Sequence, residues 1–268
     1  MIKYNVAAAK SPALKTGDAK MKQISDVQYA EHEETKVDIY LPETENYTTI
    51  VNFHGGGLDR GSKSSGTILF LAQAFTDAGY AFASVEYRMY PNAKFPDYLV
   101  DCAKATAFMK KYSEEHGGNG DIIVMGQSAG AWISLMLCLN KKYLLDEGVN
   151  ADEIKGWFID SAQTTSHFNV LAQELGEHQL SQRINEYAPL YFVGENTKFS
   201  KMILILYDND MPCRYEQNML FYKAVLAFNS EADIRYKLVS GKHCSLAKQK
   251  DEDGGSPYVK TFLDWIKG

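Results

Sequence analysis

Cysteine is scarce in this chain of 268 residues, with only Cys102, Cys138, Cys213 and Cys244. None stands in CxxC spacing and two fall in expected helices, which excludes a disulfide framework or a zinc knuckle and leaves reduced thiols. Long apolar runs are missing as well: none reaches the roughly 18 residues that a membrane span needs. Met1 to Lys22 mixes lysines with small residues and has no apolar centre of the kind a secretory leader carries, so a cytoplasmic chain with no membrane partner is expected. Positive charge is in deficit, with 28 basic against 34 acidic residues and a net charge of -6. An acidic surface does not attract nucleic acid or anionic lipid, and neither is expected as a partner. No internal repeat and no linker divides the chain. With 45% hydrophobic residues it can bury a sizeable core, and residues 1–268 are read as a single α/β domain.

The chain is organised around Asp121-Ile122-Ile123-Val124-Met125, an apolar run ending in Gly126-Gln127-Ser128-Ala129-Gly130, with a helix-compatible segment, Ala131 to Leu139, behind it. Strand, sharp turn and helix would hold the serine in a strained backbone conformation. Side chains at Gly126 and Gly130 would clash with the neighbouring strand and helix. Ser128 would then project just above a helix N-terminus, whose free N–H groups favour developing negative charge. The five-residue string alone also occurs in ordinary loops; the elements on either side give it weight.

The remaining segments alternate. Residues 1–25 show no strong period and are read as an N-terminal extension without chemistry. Antiparallel strands are expected around Val27–Ala30 and Val37–Leu41, then a buried strand, Thr49–Phe53, leading into His54-Gly55-Gly56-Gly57. Helices are predicted at Ile68–Ala78, from Phe95-Pro96-Asp97 onward until Gly117–Gly120, at Arg214–Phe228 and at Pro257–Ile266. Strands are predicted at Tyr80–Val85, Ile154–Asp160, Met202–Tyr207 and Ile234–Val239. An irregular insertion, about 161–200, contains a short helix near Val170–Leu175. Strands separated by helices imply a mostly parallel sheet with both faces covered.

In such a sheet, sites form where loops leave the C-terminal strand ends. The amides of Gly55, Gly56 and Ala129 could hold the oxyanion of a tetrahedral intermediate, where one donor is worth about 3–4 kcal/mol. Asp208-Asn209-Asp210 follows one strand and His243 another, so Ser128, acid and His243 come in the chain order Ser, Asp, His. Asp210 is preferred as the acid, with Asp208 the closer rival and Asp160 a third candidate. His54 is read as a structural hydrogen-bonding residue, because this order places the base late.

Together, His54-Gly55-Gly56-Gly57, Val85-Glu86-Tyr87-Arg88 with Phe95-Pro96 and Asp101, Gly126-Gln127-Ser128-Ala129-Gly130, Asp210-Met211-Pro212 and Gly241-Lys242-His243 resemble an α/β-hydrolase of the hormone-sensitive-lipase-like or feruloyl-esterase-like carboxylesterase group. The resemblance spans about residues 35–266. Where that group usually reads His-Gly-x-x-Asp before the acid, this chain has the shorter Tyr207-Asp208-Asn209-Asp210. The resemblance implies a brace between Arg88 and Asp101 and makes the 161–200 insertion a cap over the substrate. Gln127, Phe168 and Tyr187 are the candidate pocket residues, while Leu171, Leu190, Tyr191 and Phe192 either line the pocket or pack the cap. The expected activity is hydrolysis of small, short-chain acyl esters, acetyl or aryl esters of carbohydrates among them, through an acyl-enzyme on Ser128 without metal or organic cofactor. An arylformamidase-type amide hydrolase with the same three residues is the enzymatic alternative, and a non-catalytic binding module is the alternative from another class. A homodimer stays open.

Overall fold

Eight segments, the central ones short apolar runs, become strands in the computed structural model, which describes residues 21–268. They are β1 (Lys22–Gln28), β2 (Lys36–Leu41), β3 (Tyr47–Phe53), β4 (Ala81–Val85), β5 (Gly118–Gln127), β6 (Gly156–Asp160), β7 (Met202–Asn209) and β8 (Ile234–Lys242). All eight join one sheet in the order β1-β2-β4-β3-β5-β6-β7-β8. β2 pairs antiparallel with β1 and β4, and the other pairings are parallel. The helices are α1 (Ile68–Asp77), α2 (Asp97–Glu115), α3 (Ala129–Leu139), α4 (Lys142–Asp146), α5 (Phe168–Leu175), α6 (Arg214–Phe228) and α7 (Pro257–Lys267). This is the α/β-hydrolase arrangement.

Alternation along each strand sends successive side chains to opposite faces. Val51, Val124 and Leu204 belong to one cluster with Leu99 of α2, Trp132 of α3 and Phe221 of α6. Ile50, Met125, Phe158 and Ile205 belong to the other, with Phe75 of α1 and Phe262 and Trp265 of α7. β3, β4 and β6 are buried along their whole length, as central strands covered on both faces must be. Truncating a fully enclosed side chain here, such as Leu135 to alanine, costs about 2–5 kcal/mol.

Chain direction across the sheet reverses at β3. From β3 the chain moves outward to β4, then crosses back so that β5 lies on β3's other side. The crevice at such a reversal is where open α/β sheets place their ligands. It lies at the C-terminal ends of β3 and β5, where Phe53 pairs with Gly126. The next three strands, β6, β7 and β8, end beside it.

The sheet differs from the sequence reading at a few ends. β1 covers 22–28 rather than 27–30, because its pairing with β2 carries it back to Lys22 across an irregularity between Ile24 and Val27. The expected extension therefore loses residues 22–25 to the sheet, and residues 1–20 lie outside the described part. β5 begins at Gly118 and not at Asp121, since Gly118 pairs with Tyr47. A Cβ on Gly118 would lie 2.0 Å from the Ser113 hydroxyl, so a glycine that reads as a helix stop is also a packing residue. Helix α4 had no sequence counterpart. Among the described residues, no helix is long and apolar enough to cross a membrane.

Candidate active site

The turn between β5 and α3 holds Ser128 at φ 54°, ψ -112°, outside the regions ordinarily open to a residue with a side chain. Such strain costs on the order of 1–3 kcal/mol and persists only where its surroundings enforce it. The enforcement is visible. A Cβ on Gly130 would lie 2.0 Å from the Phe53 carbonyl oxygen, and one on Gly126 would lie 2.3 Å from that of Gly130. Only glycines let β5, α3 and β3 approach this closely. From the other side, the Ser128 N–H donates to the Asp160 carbonyl at 2.8 Å, pinning the turn to the end of β6.

His243, on the loop after β8, places Nε2 2.8 Å from Ser128 Oγ and Nδ1 2.5 Å from Asp210 Oδ1. Asp210 is the acid that reaches the imidazole. Its side chain is 3% exposed, whereas that of His243 is 26% exposed and faces the cleft. Burial pushes the Asp210 carboxyl up, but hydrogen bonds from His243 and Ser161, the His243 charge and the Met211 amide bring it below the ordinary aspartate value. Asp208 turns elsewhere: it is exposed and accepts from the Gly241 amide at 2.9 Å. Asp160 is fully buried beneath the array, with neither carboxyl oxygen in a well-formed hydrogen bond. Burial raises its pKa to about 8.

Ser161 was not singled out from the sequence, yet its hydroxyl donates to Asp210 Oδ2 at 2.5 Å, opposite His243. The buried Arg214 sends Nη1 to the Ser161 carbonyl at 3.2 Å. A serine following a strand is too common to signal this; only the register of β6 against β7 brings it to the acid.

A cleft of about 540 Å³ opens over Ser128 and His243. Gly55, Gly56 and Gly57 form one wall, with Gln127, Phe168, Ile68 and Met211 around them and Arg60 and Lys248 at the margin. Ala129 is buried at the head of α3. Gln127 and Phe168 both line this cleft. Tyr187 does not: it packs edge-on against Phe95, with centroids 4.7 Å apart, and its carbonyl accepts from Trp132 Nε1. Its aromatic character serves the packing of the 161–200 segment instead of the cleft. Leu171 is likewise buried, and Tyr191 is exposed.

The glycine loop is held from two directions. Glu86 accepts from His54 Nε2, the Ser62 hydroxyl and the Lys63 amide. His54 stacks on Tyr87, centroids 4.4 Å apart, in a supporting position. From above, Asn169 at the start of α5 donates to the Gly57 carbonyl at 2.6 Å and to Asp59 at 2.9 Å. After β4, Arg88 makes a two-pronged ion pair with Asp101 of α2, both contacts 2.8 Å. Among the described residues, no group of three His, Cys, Asp or Glu side chains is placed to hold a metal ion.

Fold and strand-end geometry together define an α/β-hydrolase of the carboxylesterase group. Residues 37–225 match the family model described as BD-FAE, and the chain belongs to that family. It is 25% identical over 256 residues to isoprenylcysteine alpha-carbonyl methylesterase ICME of Arabidopsis thaliana, covering 85% of this chain and 58% of that protein. The chain spans only 26–58% of the length of the first three curated relatives it matches. Among solved structures, it superposes on a truncated carbohydrate esterase from gut microbiota with a TM-score of 0.72 at 17% identity, covering 94% of this chain and 98% of that one. Esterase B from Lactobacillus Rhamnosis, in a tributyrin phosphonate-inhibited form, gives 0.72 at 14% identity, covering 93% and 88%. These likenesses show a shared fold.

Proposed function

We propose that the chain is a serine carboxylesterase acting on small esters with short acyl groups, with Ser128 as nucleophile, His243 as proton carrier and Asp210 as the group that orients it. The observation that carries this reading is the continuous hydrogen-bonded line from Ser128 Oγ through His243 to Asp210, opening into a cleft walled by Gly55, Gly56 and Gly57. His243 Nε2 takes the serine proton as Oγ attacks the ester carbonyl. Asp210 fixes the tautomer that leaves Nε2 free and stabilises the imidazolium that forms. The Gly55, Gly56 and Ala129 amides receive the oxyanion. His243 then hands its proton to the departing alcohol and takes another from the water that releases the acyl group.

In this reading residues 161–200 form a cap on a single domain, and Phe168 and Gln127 help to line the substrate site. The cleft's modest size and the short cap favour short acyl chains over lipid droplets. Names of relatives point the same way: one is a methylesterase, another a carbohydrate esterase.

The test is turnover of p-nitrophenyl acetate, butyrate and octanoate and of an acetylated oligosaccharide. Ser128→Ala should remove about 10⁵-fold or more of kcat. Asp210→Asn should remove about 10⁴-fold, while Asp208→Asn should stay within about threefold of the starting enzyme. Turnover that survives Ser128→Ala would sink the reading, and a preference for long-chain emulsions would sink its substrate class.

A further inference from the structure

Asp160 is the buried one of the two candidate acids that the proposed chemistry leaves unused, and it sits where all three proposed functional segments meet. It ends β6, opposite Gln127 in the β5–β6 register, and its carbonyl holds the Ser128 amide at 2.8 Å. Its carboxyl is buried with the hydroxyls of Tyr207 of β7 and Tyr258 of α7 as neighbours. The Tyr207 hydroxyl accepts from the amide of Leu246, three residues past His243, at 3.2 Å. Gln127 Nε2 donates to the Tyr258 hydroxyl at 3.4 Å. Each phenol oxygen therefore accepts from a segment next to Ser128 or His243, and its own proton is free to turn toward Asp160 once that carboxyl ionises.

We propose that Asp160 is a positioning residue, a buried neutral carboxylic acid beside Tyr258 and Tyr207 that leaves the Ser128 turn and the His243 loop in place for as long as it keeps its proton. The proposal rests on the serine-esterase reading above. Ionisation in this place has little to support it. The carboxyl is enclosed, and an unpaired buried charge is among the costliest groups a protein can hold. Asp210 on the loop after β7 adds a like charge. Cys244, beside His243, is itself pushed up by burial and has its sulfur 4.0 Å from the Asp160 carbonyl. The cation nearby, Arg214 of α6, is engaged with the Ser161 carbonyl. The Tyr207 and Tyr258 hydroxyls offset only part of the rise, leaving the carboxyl near pH 8.

Loss of the proton puts a second negative charge beneath Asp210 and turns the phenol protons toward it, shifting the two loops that those phenols anchor. An alkaline fall in kcat follows, in a pH range where a serine-histidine pair alone would hold a plateau. With the acid titrating at about 8, the neutral fraction drops about tenfold from pH 7 to pH 9.

The experiment pairs infrared spectroscopy with pH-rate profiles measured by pH-stat on ethyl butyrate. Wild type at pH 6 should show a protonated-carboxyl stretching band that is absent from Asp160→Asn and fades as the pH rises through about 8. Its kcat should fall about tenfold from pH 7 to 9. Asp160→Asn, which keeps the shape without the charge, should lack that alkaline limb at unchanged KM, and Tyr258→Phe should move the limb upward by removing a donor to the ionised form. A wild type without the band, a band that survives Asp160→Asn, or an identical alkaline limb in both proteins would overturn the proposal. The band needs no substrate. It reports on Asp160 even if Ser128→Ala leaves turnover intact, the result that would defeat the esterase reading and, with it, the catalytic half of this one.

Discussion

Ser161 and His243 hold the two oxygens of Asp210 from opposite sides, each at 2.5 Å. The acid is thereby fixed by a buried side chain that lies outside the cleft. Ser161 has φ 55°, a left-handed conformation that needs a reason in a serine, and aiming Oγ at Asp210 supplies one. Removing the hydroxyl leaves Asp210 free to turn and the imidazole less well oriented. A hydrogen bond to a charged group is worth about 1.5–3 kcal/mol, so Ser161→Ala should lower kcat on order of 10- to 100-fold with KM nearly unchanged. Steady-state kinetics on a short-chain ester checks this. A rise in KM at constant kcat would show instead that Ser161 shapes the binding site.

Glu86 makes the stability of the glycine loop depend on acid. Burial raises its carboxyl, but His54, the Lys63 amide and the Ser62 hydroxyl more than compensate and hold it below the ordinary value of 4.5. A carboxylate depressed by folding contributes stability that is present above its unfolded pKa and lost as the pH falls through the folded one. Glu86→Gln should therefore destabilise the protein by about 1–3 kcal/mol at pH 7. The gap in melting temperature from wild type should narrow steadily once the pH drops below 4.5. A gap that stayed constant down to pH 3 would mean that the charge of Glu86 contributes nothing to the loop.

The legible parts of this molecule were those written in local pattern. β3, β6 and β7 are short apolar runs, and Gly126 and Gly130 carry the signature of a turn that no side chain would permit. Ser128 and His243 followed from chain order and from the elements flanking them. What stayed hidden was set by register and packing between distant segments. Tyr187 and Phe168 look alike in sequence, both aromatic and both in the 161–200 segment, yet one packs on Phe95 at the edge of the core and the other lines the cleft. Asn169 reads as one more polar residue near a helix start; its contact with Gly57 spans 112 positions. Asp208 and Asp210 could be ranked from sequence, but only the fold turns the first toward Gly241 and the second toward His243.

Gly55 tests how closely the glycine wall and the serine turn are matched. Its backbone is not in the left-handed region, so alanine can adopt it, and the question is one of space alone. An added Cβ would come to 3.0 Å from the Gln127 carbonyl oxygen and 3.3 Å from the Ser128 Cβ. Both are tighter than comfortable contact and neither neighbour is a flexible side-chain end, so loop and turn must part by a few tenths of an ångström. Folding tolerates such a shift at a cost within about 1–3 kcal/mol. Catalysis tolerates it less well, because displacement of reacting groups by about 1 Å costs on the order of 10²-fold. Gly55→Ala should thus lose about tenfold in kcat while remaining folded by circular dichroism. Gly66→Ala, whose Cβ would meet nothing within 4 Å on the same cleft margin, supplies the control and should change kcat by less than about twofold. Equal activities for the two variants would mean that the glycine wall does not act on the reaction, and the proposed oxyanion role of the Gly55 amide would fall with it.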